Sequence, residues 1–366
     1  MIRSATADDL PALIDIENRA FVSDRISRRA FRYLLSKANA ETLVEQTDAG
    51  AVRGYAIILF NRGTSLARLY SIAVDPACHR QGVGAALLIE AERVARDHAA
   101  AYMRLEVRAD STVNQAFYRA HGFRVFGMQP HYYEDDVTAV RMEKSLALPP
   151  DPSLIRVPYY PQTLDFTCGP AAVLMAMRAL DPGVPFDQTT EIRLWRESTT
   201  VFMTSGLGGC SPEGLALAAQ RRGFSVELHL SDRGVLFVDS VRSQRKREVI
   251  RLVQADFREQ LATSGVTIVL RPLSLTAMRR SCEDGKIPVV LISSYRFDRA
   301  KQPHWVVVTG FDETYVYLHD PNVDEDLDKT PTDCMQIPVL QSDFSKMARY
   351  GKTQQQAALV IGKERI

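Results

Sequence analysis

The stretch Ala171-Ala-Val-Leu-Met-Ala-Met-Arg-Ala-Leu180 is apolar apart from Arg178 and contains no breaker, which predicts a buried helix beginning just before it. Two β-branched and aromatic runs, Pro303-His-Trp-Val-Val-Val-Thr-Gly-Phe311 and Tyr315-Val-Tyr-Leu-His-Asp-Pro321, read as strands joined by a turn at Asp312-Glu313-Thr314. A turn centred near Asp312 makes them an antiparallel pair with His304 opposite Asp320. Earlier in the chain, Leu69-Tyr-Ser-Ile-Ala-Val74 is a strand that runs into a glycine-containing turn, and the turn opens a helix. Leu105 and Val107 alternate with Glu106 as they do on a strand. Gly206-Leu-Gly-Gly-Cys210 reads as a glycine loop ahead of a helix capped by Ser211, with Pro212 at its first position.

This layout puts Cys168 in the first turn of the apolar helix, with Pro170 where its missing N–H costs nothing. A helix N-terminus favours negative charge, and so favours thiolate over thiol. Gln162, six residues upstream, is placed to offer its side-chain amide to the oxygen of a tetrahedral intermediate, beside the backbone N–H of Cys168. His304 would take the thiol proton and Asp320 would hold the imidazole in the right tautomer. His319 is the competing base, but it and Asp320 point to opposite faces of one strand, so only one of them lines the site. That favours His304 and leaves His319 as a surface or packing histidine. Cys210 has no glutamine at the oxyanion spacing and is the poorer nucleophile. Read from its spacing alone, Cys168 is more simply a buried structural cysteine, the commoner fate of a lone Cys, and it is the downstream His304 and Asp320 that favour the nucleophile.

Val157-Pro-Tyr-Tyr-Pro-Gln162, Thr167-Cys-Gly-Pro-Ala171, Pro303-His-Trp-Val-Val-Val308 and His319-Asp-Pro321 together resemble the papain-like peptidases that remove double-glycine leaders from bacteriocin precursors. The resemblance covers about residues 154 to 345, less well from Leu230 to Pro272. It implies an α+β papain-like cysteine peptidase fold and a peptide or peptide-like substrate. Gln162, Cys168, His304 and Asp320 become oxyanion donor, nucleophile, general base and orienter. In such folds the Gly206 to Gln220 segment lies near the cleft, though a plain turn and core helix explain it as well. Two other readings use the same groups: a degenerate peptidase that only grips a peptide, and a thiol-dependent acyl or peptidyl transferase.

In the first half, the run from Leu69 through Leu88, with Arg104-Leu-Glu106-Val-Arg-Ala-Asp-Ser111 and Gln115-Ala-Phe-Tyr118-Arg-Ala-His-Gly-Phe123, resembles the GNAT superfamily of acyl-CoA N-acyltransferases, in particular the protein N-terminal acetyltransferase branch. The resemblance spans about residues 1 to 145 and implies an α/β GNAT fold with acetyl-CoA as cosubstrate. It implies that Ile72, Ala73 and Val74 pair with the pantetheine arm and that His79, Arg80, Gln81, Gly82, Val83, Gly84 and Ala85 bind the pyrophosphate. Backbone N–H groups backed by a helix dipole suit that anion, and glycine lets the chain approach it closely. Tyr118 would protonate the leaving thiolate, with a core aromatic as its alternative. Glu106 would be the base that an ammonium needs before it can attack a thioester, with an exposed strand residue as its alternative. His79 and Ser111 depart from the usual family residues at the start of the loop and before the tyrosine. Ile2-Arg-Ser-Ala, a helix from Asp8 to Ala20, and strands near Glu41–Glu45, Val52–Phe60 and Ala67–Val74 fit the family order.

A chain of 366 residues suits two domains, expected at 1–147 and 154–366, with the proline-rich 148–153 as a short, stiff linker. A formal net charge of +1 gives no electrostatic reason to expect nucleic acid or an anionic membrane as partner. The cluster Arg242, Arg245, Lys246, Arg247 and Arg251 reads as a solvated helix face. No apolar run reaches the length of a membrane span, and the N-terminus lacks the apolar core of a signal peptide, so the expected location is the cytoplasm. Five cysteines without a Cys-x-x-Cys pair argue against a disulfide framework or a metal site. The sequence carries no signal of oligomeric state.

Overall fold

The computed structural model describes residues 1–146, 153–202, 207–238, 241–298, 302–324, 329–351 and 353–364. The chain divides into two compact units, Met1–Pro150 and Asp151–Ile366. Residues 148–152 of the expected linker lie outside the described residues, and Ser153 already belongs to a strand of the second unit.

The described N-terminal residues form a seven-stranded sheet in the order β1-β2-β3-β4-β5-β7-β6. Its strands are β1 (Ile2–Ser4), β2 (Ala40–Gln46), β3 (Val52–Phe60), β4 (Leu66–Val74), β5 (Tyr102–Arg108), β6 (Arg124–Gln129) and β7 (Ala139–Ser145). Alternation along β3 assigns the two faces. Ala56 and Ile58 pack under α3 (Val83–Asp97) and α4 (Thr112–Ala120), while Tyr55 and Ile57 pack under α1 (Leu10–Ala20) and α2 (Arg28–Ser36). The expected helix from Asp8 starts as a 3-10 turn over Ala7–Asp9 before α1. Strand β4 carries one extra residue, Tyr70, between the pairs Ile57↔Ser71 and Ile58↔Leu69. It pairs in parallel with β5 only over Leu66–Arg68, and beyond that the two strands part.

The described C-terminal residues form an eight-stranded sheet, β10-β9-β15-β11-β12-β13-β14, with β8 paired to β12. Its strands are β8 (Ser153–Leu154), β9 (Phe224–Leu230), β10 (Thr267–Val269), β11 (Ile287–Ser293), β12 (Pro303–Phe311), β13 (Tyr315–His319), β14 (Ile337–Leu340) and β15 (Ala357–Lys363). One face carries α5 (Cys168–Leu180) and α7 (Pro212–Gln220), with α6 (Gln188–Ser198) and α8 (Gln244–Ala262) packed on them. The other face carries α9 (Leu275–Glu283) and α12 (Gln341–Met347), and short helices α10 (Tyr295–Asp298) and α11 (Pro331–Cys334) fill the connections. Ser211 caps α7 by accepting from Gly214 N at 2.9 Å, and the helix is buried along almost its whole length, a core helix. Gly206 lies outside the described residues. In the basic cluster Arg242, Arg245 and Arg251 are exposed, while Lys246 and Arg247 are half-buried. Among the described residues no helix is long and apolar enough to cross a membrane.

Candidate active sites

In the C-terminal unit the apolar helix starts at Cys168, as its composition demands, with Pro170 in its first turn. A Cβ on Gly169 would stand 3.1 Å from Trp305 Cδ1 and 3.0 Å from Leu215 Cδ1, so glycine lets the helix start sit close to the strand that carries His304 without displacing those side chains. His304 Nε2 lies 2.6 Å from Asp320 Oδ1, and both side chains are buried. The ring's other nitrogen is left for Cys168, whose thiol is near enough to shift the ring's protonation by hydrogen bonding and charge. Burial alone would push the His304 pKa down, but the Asp320 carboxylate outweighs it, and with Cys168 raises the pKa well above the histidine range. Burial works against ionised Asp320 too, yet His304, Lys329 and the Asn322 N–H keep its pKa low. The two form an ion pair.

The register differs from the expected one. Val307 pairs with His319, which sets Asp320 level with Val306, two residues along from His304 and on the same face. The Asp312 carboxylate accepts Thr314 N at 2.7 Å and Tyr315 N at 2.6 Å, which moves the turn beyond Asp312, and a bulge between Val308 and Gly310 adds the rest. His304 therefore reaches Asp320 diagonally. His319 points the other way. It accepts from Gln336 N at Nδ1 and meets Val157 O at Nε2, both at 2.9 Å, so it is a buried packing histidine with both nitrogens in use.

Gln162 is tied to the same place through the backbone. Its N–H donates to Pro321 O at 2.8 Å, and Tyr159 Oη donates to Asp320 O at 3.0 Å, so the Gln162 segment runs alongside the segment that carries Asp320. Its side-chain amide donates to Leu164 O at 3.1 Å, and Oε1 is buried without a partner. Sequence reasoning missed Glu191, which is fully buried on α6. It accepts from Thr163 N at 2.9 Å, Thr163 Oγ1 at 2.7 Å and Tyr160 Oη at 3.0 Å, and so clamps both sides of Gln162. Its one signal is a glutamate on the apolar side of a helix that otherwise reads as amphipathic. Burial raises the pKa of Cys210 far above the ordinary thiol range, consistent with a packing role.

In the N-terminal unit, α3 begins after Gly82, whose φ of +79° is the left-handed conformation that glycine adopts most easily. The N–H groups from Arg80 to Ala85 make no hydrogen bond to the described residues. A Cβ on Gly84 would meet Val74 Cγ2 at 3.6 Å and Phe117 Cζ at 3.9 Å, ordinary packing contacts, so a single methyl fits there and a branched side chain would press on Val74 and Phe117. His79 uses its Nε2 on Val74 O at 3.1 Å, which makes its side chain a brace between the turn and the strand end. Ser111 caps α4 by position, without a hydrogen bond from its hydroxyl to the helix.

Glu106 is not an exposed strand residue. Its side chain is 5% exposed, and Arg68 Nε donates to Oε2 at 3.0 Å while Arg68 also holds Tyr132 Oη at 2.9 Å. Tyr118 is buried against Phe117 and Phe123, and its hydroxyl has no hydrogen-bond partner among the described residues. Burial raises its pKa, so it holds its proton through neutral pH.

A model of the Peptidase_C39 like family matches residues 157–362, and a model of the acetyltransferase (GNAT) domain matches residues 8–146. The chain is 30% identical over 145 residues to an uncharacterized N-acetyltransferase of Methanocaldococcus jannaschii, covering 39% of this chain and 90% of that one. It is 32% identical over 139 residues to the ribosomal protein bS18-alanine N-acetyltransferase of Escherichia coli (strain K12), covering 36% of this chain and 86% of the relative. The crystal structure of the ribosomal-protein-S18-alanine N-acetyltransferase from Escherichia coli matches at 28% identity with a TM-score of 0.38, over 41% of this chain and 96% of that one.

Proposed function

The chain belongs to the GNAT acetyltransferases through its N-terminal unit and to the Peptidase_C39 like family through its C-terminal unit, and on that basis we propose a bifunctional enzyme: an N-acetyltransferase of peptide or protein amines joined to a Cys-His-Asp peptidase. GNAT acetyltransferases use acetyl-CoA, and the residues here fit it. Consecutive free N–H groups at the start of α3 suit a pyrophosphate, and the open edge of β4 beyond Arg68 suits an extended amide chain. Acetyl-CoA supplies a thioester carbonyl open to attack by an amine. Glu106 then takes the ammonium proton, directly or through water, and Tyr118 keeps a proton for the departing thiolate.

In the second unit Cys168 attacks the carbonyl carbon of a peptide bond as a thiolate, its proton already held on His304, and the His304 cation later passes that proton to the leaving amine. Asp320 holds the ring and its positive charge. The Cys168 N–H and the Gln162 amide donate to the oxyanion, and Glu191 keeps the Gln162 segment in position. The observation that carries this half is the His304–Asp320 ion pair, 2.6 Å long, with Cys168 at the free side of the ring. Iodoacetamide labelling at neutral pH, read by peptide mass mapping, tests it. Cys168 should react first, because burial holds Cys210, Cys282 and Cys334 as protonated thiols. His304→Ala should remove the advantage of Cys168. Similar rates at Cys168 in the wild type and in His304→Ala would end the nucleophile assignment.

A further inference from the structure

A cavity of about 470 Å3 opens on the sheet face that carries α9 and α12. Pairing across β9, β15 and β11 aligns His229, Ala358 and Val290 on that face. Their neighbours Leu228, Leu359 and Val289 pack on the opposite face, in the core that contains Cys168. None of Gln162, Cys168, His304 and Asp320 lines the cavity. It exists because Ala357 and Ala358 are small where the walls, Leu273, Leu275, Met278 and Phe344, stand apart. Its volume lies in the range of small-molecule sites, about 300–1,000 Å3.

His229 makes this hollow more than a packing defect. Its side chain is 7% exposed, it lines the cavity, and neither ring nitrogen has a hydrogen-bond partner. A buried imidazole left this way is costly unless something else completes it. Glu227 Oε2 is 3.8 Å away, too far for a hydrogen bond, and that carboxylate is engaged by Lys286 Nζ at 2.5 Å. Burial lowers the His229 pKa and keeps the ring neutral, against the nearby Glu227 carboxylate and Arg271 backbone, which favour the cation from beyond good hydrogen-bond geometry, and the Arg271 charge opposes it. At the mouth of the cavity, exposed Arg349 has no carboxylate partner among the described residues. An N–H donor and a free guanidinium at the edge of an apolar chamber complement an anion attached to an apolar body.

We propose that this cavity binds a compact apolar molecule bearing one carboxylate, with the apolar body between α9 and α12 and the carboxylate held by His229 and Arg349. At roughly 30 Å3 per water-sized group, the chamber takes on the order of ten to fifteen heavy atoms. A small organic acid and the C-terminal residue of a peptide share that chemistry. The test is calorimetric titration of the full chain with 4-phenylbutanoate, with 4-phenylbutanamide, and with a short peptide ending in phenylalanine as free acid or as amide. At least one acid should bind saturably and about tenfold or more tighter than its amide. Binding of phenylbutanoate assigns a small acid, and binding of the peptide acid alone assigns a C-terminus. Ala358→Leu, which fills the floor, and Arg349→Gln, a surface change, should each weaken the bound acid by about tenfold. The Arg349→Gln result stands even where Ala358→Leu fails to fold. Acids and amides binding alike, no acid binding at millimolar concentration, or unchanged affinity in Arg349→Gln would each overturn the proposal.

Discussion

His304 is pulled in two directions, and the winner sets the pH behaviour of the C-terminal site. Burial favours the neutral ring, and the Asp320 carboxylate favours the cation, with the net shift upward. A histidine whose folded pKa is raised contributes stability that is complete below its ordinary value near 6.5 and is lost as pH climbs through the folded value. Asp320 is the mirror case: its lowered pKa contributes above the ordinary carboxylate value near 3.9, and the contribution disappears as pH falls through the folded value. The ion pair is therefore complete across the neutral range. The alkaline limb of Cys168 alkylation should lie well above neutral in the wild type and move toward neutrality in Asp320→Asn, which removes the charge but keeps the shape. A limb that stays in place would show that Asp320 does not hold the imidazolium. In the other unit, the unpartnered hydroxyl makes Tyr118→Phe a clean deletion, costing the fold no hydrogen bond. It should lower kcat by about 10²-fold with KM little changed. Glu106 is a harder target, because it also balances the charge of buried Arg68, so its loss touches stability as well as activity. Activity of Glu106→Gln has meaning only beside its melting temperature.

At the scale of elements, the start of α3 separates two roles of glycine. Gly82 is needed for its backbone, so Gly82→Ala should destabilise by about 1–2 kcal/mol through the left-handed φ. Gly84 is needed for its small size, so Gly84→Val should weaken acetyl-CoA binding in titration, read beside the melting temperature because the added methyls press on Val74 and Phe117, with Gly84→Ala as the milder control. Wild-type affinity in Gly84→Val would place the pyrophosphate elsewhere. Elements built on strong local signals were legible in the sequence. Val52–Phe60 is a strand with the expected limits, and Cys168 begins its helix because Pro170 and the apolar run after it admit little else. The pairing of β12 and β13 was legible as a pair but not in register, since the turn is set by a carboxylate bonding two N–H groups and by a bulge, neither of which alternation encodes. Helix α2 and the clamp at Glu191 were not legible. The first has a short polar sequence given meaning by Phe31 and Leu34 packing under the sheet, and the second acts on a segment 28 residues away. Ion pairing hid the state of Glu106 for the same reason, because Arg68 is brought to it by strand pairing alone.

For the whole molecule the open matter is why one chain carries both sites. Peptide cleavage creates a new α-amine, and an α-amine is what acetyltransferases acting on protein N-termini modify, so on the activities proposed above the product of one unit would have the chemistry of the other's substrate. The two units are covalently joined through a proline-rich stretch, Leu148-Pro-Pro-Asp-Pro-Ser153, too short to let them diffuse apart. A short covalent link keeps the two units at a mutual effective concentration of about millimolar, so a peptide end leaving one unit can meet the other before it dilutes into bulk. A peptide cut by the Cys168 unit should therefore appear acetylated at its new N-terminus, and faster with the intact chain than with the two units mixed at equal concentration. Mass spectrometry of the products over time reads both points. Cys168→Ala should abolish the acetylated product by removing its precursor, while acetylation of a synthetic peptide with the same free N-terminus continues. Tyr118→Phe should do the reverse, leaving cleavage intact and free amines accumulating. Equal yields from joined and separated units, or cleavage products that stay unacetylated while the synthetic peptide is modified, would mean that the fusion keeps two activities together without passing a product between them.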